Sequence, residues 1–161
     1  MRYFILTITL LLSCLIPAFG SDIDYVLVNK SEQKMYLLSQ GERVKEYRVV
    51  FGGNPKGHKQ QEGDQRTPEG KYVLDYKKAD SAFHKAIHIS YPNEQDKAKA
   101  REKGVNPGGL IMIHGQKSGL GWLSWLSQNF NWTDGCIAVT NEEMDEIWDL
   151  VKVGIPIEIR P

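Results

Sequence analysis

Leu110-Ile111-Met112-Ile113-His114-Gly115 and, beyond a connection rich in glycine and tryptophan, Thr133-Asp134-Gly135-Cys136-Ile137-Ala138-Val139-Thr140 hold most of the information in this chain. The first is an apolar run behind Gly108-Gly109, the pattern of a buried strand, and it delivers a histidine at its end. The second sets a cysteine directly after a glycine. Alone, His114 reads as a core histidine satisfied by backbone and Cys136 as a small buried hydrophobe. Together they are the two parts of a thiol nucleophile. The imidazole can take the thiol proton or hold the thiolate as an ion pair, and Gly135 lets the backbone turn so that amide N–H groups converge on a developing oxyanion. The helix that starts at Thr140 begins too late for its dipole to act strongly on Cys136, so activation falls mainly to His114 and local amides.

Outward from there, Thr140 reads as an N-cap, with Glu143 completing a capping box and Val139 against Met144 as a hydrophobic staple. Met144, Ile147, Trp148 and Val151 give the stripe of a core-facing helix, closed by Gly154 and Pro156. Most of the remaining chain reads as strands: residues 25–28, 34–38 and 44–51 as a meander turning at Gln40-Gly41, then 71–76, 86–90 and 156–160. The tight turn Thr67-Pro68-Glu69-Gly70 leads into the fourth of these, and residues 93–103 form a charged, mostly exposed helix ended by Gly104. Residues 52–65 carry no apolar period and form a loop of about 15 residues, long enough to suggest function. Strands outnumber helices without alternating with them, which excludes a doubly wound α/β sheet. The expected fold class is mainly β, a single domain with one or two packed helices.

Residues 1–20 open with Arg2, run apolar from Tyr3 to Ile16, break at Pro17 and end on Ala18-Phe19-Gly20, the grammar of a secretory signal peptide. The apolar run is short of the roughly 18 residues wanted for a spanning helix, so a lasting membrane anchor is the weaker reading. Lipidation at Cys14 is disfavoured because the apolar run continues past it. Removing the leader takes Cys14 with it and leaves Cys136 as a lone thiol in a compartment where paired cysteines oxidise. The 161 residues carry 20 Lys plus Arg against 20 Asp plus Glu, so no basic footprint for nucleic acid exists.

Ile-His-Gly followed by Thr-x-Gly-Cys, with Thr-Pro-x-Gly upstream, resembles the L,D-transpeptidase (YkuD-type) catalytic domain of bacterial cell walls. The resemblance spans nearly all of residues 21–161 and implies a β-sandwich or barrel-like fold. It implies an exported, periplasmic cysteine acyltransferase that acts on peptidoglycan stem peptides and serves wall biosynthesis and organisation. Cys136 would attack the carbonyl at the L-centre of diaminopimelate in a tetrapeptide, expelling D-alanine as a thioester forms, and an amine would then resolve the thioester. His114 would give and take the proton, its ring held by a neighbouring backbone carbonyl. Gly135 and Gly115 would supply backbone support, the amides of Gly135 and Cys136 part of the oxyanion hole, and Thr133 and Asp134 would meet substrate. No cofactor and no metal are implied; the partners are stem peptides and a wall-linked protein, with neither nucleic acid nor stable membrane insertion. Many members carry His two residues before the Cys and Arg two after, where this chain has Asp134 and Ala138, a version similar to that of a proteobacterial branch. A carboxylate there opposes thiolate formation unless it is paired or turned away.

Other features compete. His84 and His88 could share a face and invite a zinc reading with Cys136, which the β-branched surroundings and the missing His-Glu-x-x-His disfavour. Trp122, Trp125, Phe130 and Trp132 form either an apolar cluster covering the sheet or a cap that keeps water from the thioester. The polar loop around Lys56, Lys59, Glu62 and Asp64 reads as solvated. The same Cys136 and His114 could serve hydrolysis, as an L,D-carboxypeptidase or an amidase releasing a wall-bound protein. A noncatalytic wall-binding module would be marked by loss of one of them, and a papain-like protease would place Cys before His.

Overall fold

In the computed structural model, which describes residues 22–161, the first three strands form the expected meander: β1 (Tyr25–Asn29), β2 (Lys34–Ser39) and β3 (Glu42–Arg48). The leader reading of residues 1–20, Cys14 included, lies outside the described residues. Two residues, Gln40 and Gly41, link β2 to β3, both at positive φ (52° and 83°), the combination that matches the twist of a tight hairpin. The remaining strands are β4 (Gly70–Lys78), β5 (Ala86–Ile89), β6 (Met112–His114), β7 (Ile137–Ala138) and β8 (Pro156–Arg160).

All eight join one sheet in the order β3-β2-β1-β8-β4-β5-β6-β7. It is mixed: β8 runs parallel to β1 and β7 parallel to β6, while the other neighbours are antiparallel. β4 is the hinge of its curvature. Residues 70–73 pair with β8, and beyond the irregularity between Leu74 and Tyr76 the rest pairs with β5. The two outer strands are then clasped together by the chain leaving β3. Val50 N–H donates to Ala138 O at 3.0 Å and Ala138 N–H to Val50 O at 2.9 Å, while Thr133 N–H reaches Phe51 O at 3.1 Å. The sheet therefore curls into the barrel-like wall that the sequence resemblance implied.

Inside the wall lie Phe51, Leu74, Ile87, Ile89, Ile113, Ile137, Ile157 and Ile159, all fully buried and each stabilising by about 1.5–3 kcal/mol on the transfer scale. The helix α1 (Glu94–Lys103) stays largely solvated, with only Asp96 and Ala100 buried; α2 (Ser124–Ser127) is a single turn; α3 (Asn141–Leu150) adds Met144 and Ile147 to the core. The capping box of α3 is formed, Glu143 N–H donating to Thr140 Oγ1 at 3.2 Å and Thr140 N–H to the Glu143 carboxylate at 2.9 Å. The helix stops at Leu150, earlier than Gly154-Pro156 suggested. Val151 is already extended (φ −89°, ψ 123°), and the chain turns at Gly154, whose N–H bonds Leu74 O.

The loop of residues 52–67 is braced by two buried lysines, a correction to its solvated reading. Lys30 Nζ donates to Gly57 O at 2.8 Å and Thr67 O at 3.1 Å and pairs with Glu69 at 2.8 Å. Lys59, only 3% exposed, donates to Gln61 O and pairs with Asp64 at 2.8 Å. Burial opposes the charge on Asp64, yet the amides of Gln60, Arg66 and Gln61 together with Lys59 outweigh it and hold its pKa down at about 2. Each ammonium is buried only because carbonyls and a carboxylate replace its water.

Candidate active site

Strand alternation decides where His114 and Cys136 point. Ile111 and Ile113 on one chain segment, Ile137 and Val139 on the other, all belong to the buried core. With Ile113 opposite Ile137 and His114 opposite Ala138 in the parallel register, His114 and Cys136 fall on the other face of the same sheet, one strand apart and offset by two residues. They share a surface; they are not divided by it.

His114 is 3% exposed, and its Nδ1 lies 2.6 Å from Gly115 O. A carbonyl oxygen only accepts, so Nδ1 carries the proton and Nε2 keeps its lone pair. Phe83 and Trp132 flank the ring, with centroids 4.5 and 5.7 Å away. Burial pushes its pKa below the ordinary histidine value, with the Gly115 carbonyl working in the other direction. Gly115 admits no larger residue: a Cβ would lie 2.7 Å from Asn141 Oδ1 and 2.8 Å from His84 O.

Cys136 is half-buried and unpaired. Its Sγ sits 3.6 Å from Leu110 O, whose residue adopts a left-handed conformation (φ 55°), so the apolar strand begins two residues later than the sequence suggested. Burial pushes the thiol pKa up and the Asp134 carboxylate adds to this; the Met112 amide and the Lys59 charge pull it down without prevailing. Both shifts favour the uncharged forms, thiol and imidazole. Asp134 is exposed, and the opposition to ionisation foreseen for a carboxylate at this position is felt at the thiol.

Thr133, expected to meet substrate, is buried with its hydroxyl engaged inside the turn. Oγ1 donates to Cys136 O at 2.8 Å and accepts Gly135 N–H at 3.2 Å. That bond also occupies the Gly135 amide which the oxyanion reading had used. Gly135 has φ 123°, and a Cβ there would come within 2.5 Å of Arg66 O. Gly135→Ala is expected to lower Tm by about 10 °C, since strain and clash together exceed the cost of most surface changes; a thermal melt checks this.

Several neighbours carried no sequence signal: Phe83 against the imidazole, Leu110 at the thiol, and Lys59, whose charge is felt there. His84 and His88 separate, the first pairing with Asp145 at 2.7 Å, the second with Asp75 at 2.6 Å while stacked on Tyr76. Among the described residues no group of three or more His, Cys, Asp or Glu gathers to hold a metal. Trp122, Trp125 and Phe130 neither cover the sheet nor cap the site; they are 72%, 70% and 61% exposed, and only Trp132 turns inward to His114.

Residues 23–159 match the family model described as the L,D-transpeptidase catalytic domain. YafK of Escherichia coli (strain K12), provisionally named an L,D-transpeptidase, is 32% identical over 138 residues, which cover 82% of this chain and 48% of YafK. The helical cell shape determining protein Pgp2 of Campylobacter jejuni is similar in structure, with TM-score 0.65 and 26% identity over 86% of this chain and 48% of its own. An L,D-transpeptidase from Mycobacterium smegmatis shares the fold at TM-score 0.57 and 14% identity, over 88% of this chain and 60% of its own. The chain spans about half the length of YafK and Pgp2.

Proposed function

This chain belongs to the L,D-transpeptidase catalytic-domain family, and on that premise we propose that it is an exported enzyme acting on peptidoglycan tetrapeptide stems through a thioester on Cys136. The observation that supports this most is an imidazole with a free Nε2 and a thiol on one face of adjacent parallel strands. Nε2 of His114 takes the thiol proton as Sγ attacks the carbonyl at the L-centre of diaminopimelate. The C–S bond forms, the carbonyl electrons move to oxygen, and on collapse the C–N bond breaks while His114 returns its proton to the departing amine of D-alanine. An acceptor amine then attacks the thioester, His114 takes its proton, and the thiolate is reprotonated as it leaves. With the Gly135 amide held by Thr133, the Cys136 N–H is the nearer choice for the oxyanion, and Gly115 contributes through the carbonyl that fixes the ring.

Because both shifts favour the uncharged forms, activity follows the imidazole. Protonating His114 removes the base, and its depressed pKa moves the acid limb of kcat/KM below pH ~6.5, with a plateau into the alkaline range. A plateau replaced by a bell, with activity falling through an alkaline limb, would instead indicate a preformed thiolate–imidazolium pair whose imidazolium is lost there. The direct test incubates the protein with purified tetrapeptide muropeptides and follows D-alanine together with the intact mass of the protein. An adduct on Cys136 with the mass of the muropeptide less D-alanine is expected, and release without any adduct would overturn the thioester.

One observation favours water as the second substrate. Three of the four aromatic residues that would have capped the site, Trp122, Trp125 and Phe130, are exposed, leaving Trp132 alone of that cluster against His114. The hydrolytic reading, a carboxypeptidase or an amidase freeing a wall-bound protein, is separated from transfer by the ratio of tripeptide to crosslinked dimer in the same incubation.

A further inference from the structure

The connection between β6 and β7 is built inside out. Two of its amide side chains face inward: Gln128 is buried, and so is Gln116, which donates through Nε2 to Val139 O at 2.7 Å, accepts from Ser127 Oγ and donates its backbone N–H to Asn141 Oδ1 at 2.8 Å. Its large apolar side chains face water. Trp122, Trp125 and Phe130 are more than three-fifths exposed, and Leu120 and Leu126 are both above two-fifths. A segment pinned this firmly to the core from its polar side is not displaced packing. An exposed cluster of this kind marks a surface that meets something.

Three features say what it meets. From residue 117 to 132 the only charged side chain is Lys117; the polar residues between the rings are Ser, Asn and Gln. An anionic lipid surface or an acidic peptide would call for several cations. Second, the amide that this segment does expose is Asn129, between Trp125 and Phe130 in the chain, its Nδ2 donating to Trp125 O at 2.8 Å. A neutral donor and acceptor at the surface suit a ligand rich in hydroxyl and acetamido groups, whereas a hydrocarbon chain would strip their water and replace it with nothing. Third, a cleft of about 180 Å³ is lined by Leu120, Leu123, Ser127 and Trp132 together with Gln116 and the one cation of the segment, Lys117, and Trp132 itself touches His114.

We propose that Trp122, Trp125 and Phe130 form a stacking platform for a glycan strand of N-acetylated hexosamines, the sugar portion of the polymer whose stem peptide enters the Cys136 site. The pyranose ring offers a C–H face to each aromatic plane while its equatorial groups reach the amides between them. Identification of the polymer rests on the stem-peptide reading above; recognition of the sugar does not.

The test uses the N-acetylglucosamine hexamer, which has no stem peptide and undergoes no reaction, titrated into the protein with tryptophan fluorescence and calorimetry as readouts. Saturable binding is expected, weakened at least about tenfold by Trp122→Ala with Trp125→Ala and largely restored by Trp122→Phe with Trp125→Phe. With substrates, the double alanine variant should raise KM for glycan-linked tetrapeptide about tenfold at unchanged kcat and leave free tetrapeptide untouched. No saturable hexamer binding, or binding indifferent to the alanine pair, overturns the proposal. So does capture of phosphatidylglycerol vesicles that the alanine pair abolishes when the hexamer gives no response. Absence of D-alanine release from every substrate would sink the enzymatic reading alone, since the hexamer arm needs no catalysis.

Discussion

Cys136→Ala is expected to end D-alanine release and adduct formation, leaving at least a roughly 10⁴-fold lower rate. The size follows from the absence of a substitute. Cys136 is the only cysteine among the described residues, and the hydroxyl of the same turn, Thr133 Oγ1, is engaged as both donor and acceptor. Alanine fits the same backbone, so the fold should be retained, and an unchanged melting temperature would show that the loss is chemical. Cys136→Ser sharpens the point. It keeps shape and a proton for Nε2, but an alkoxide is far harder to form than a thiolate, so activity should fall nearly as far. A Cys136→Ala protein that still releases D-alanine would show the site to be elsewhere.

His114→Asn is expected to cost about 10³-fold in kcat/KM, and it is chosen for geometry. The asparagine amide N–H occupies the position of Nδ1 and can still donate to Gly115 O, whereas nothing replaces Nε2. Catalysis is lost with little disturbance of the ring's hydrogen bond. The diagnostic is the pH profile: the acid limb assigned to His114 should vanish, and the residual rate should climb only where the thiol ionises, above its ordinary range because burial raises it. A variant that loses rate but keeps the limb would place the titrating base on another residue.

The residues that made the site legible were local in their signals. His114 at a strand end, Gly135 before Cys136, and the Thr140–Glu143 box each need only a few neighbours to be read, and each stands where expected. What escaped depends on partners far along the chain. Lys30 reads as a solvated turn residue until Glu69 is known to lie against it, and Lys59 reads as surface until the loop folds back through Asp64. The two-residue strand β7 has no periodicity of its own; it is defined by pairing with β6 on one side and by the bridge from Val50, far upstream, to Ala138 on the other. Trp122 and Trp125 failed for another reason. A spacing of three suits an inward face as well as an outward one, and only the anchoring of Gln116 on the opposite side decides between them.

The clasp between residue 50 and residue 138 has a temporal consequence. The nucleophile's turn rests on backbone from the opposite half of the polypeptide: Gly52 abuts Gly135, and Arg66 O leaves no space for a side chain on it. Contacts so distant in sequence are slow to form, because the entropy of closing the intervening loop is lost before they offset it. The turn that carries Cys136 is therefore complete only once both halves have come together, and a polypeptide nicked and separated between them is expected to leave no fragment that reacts through this thiol.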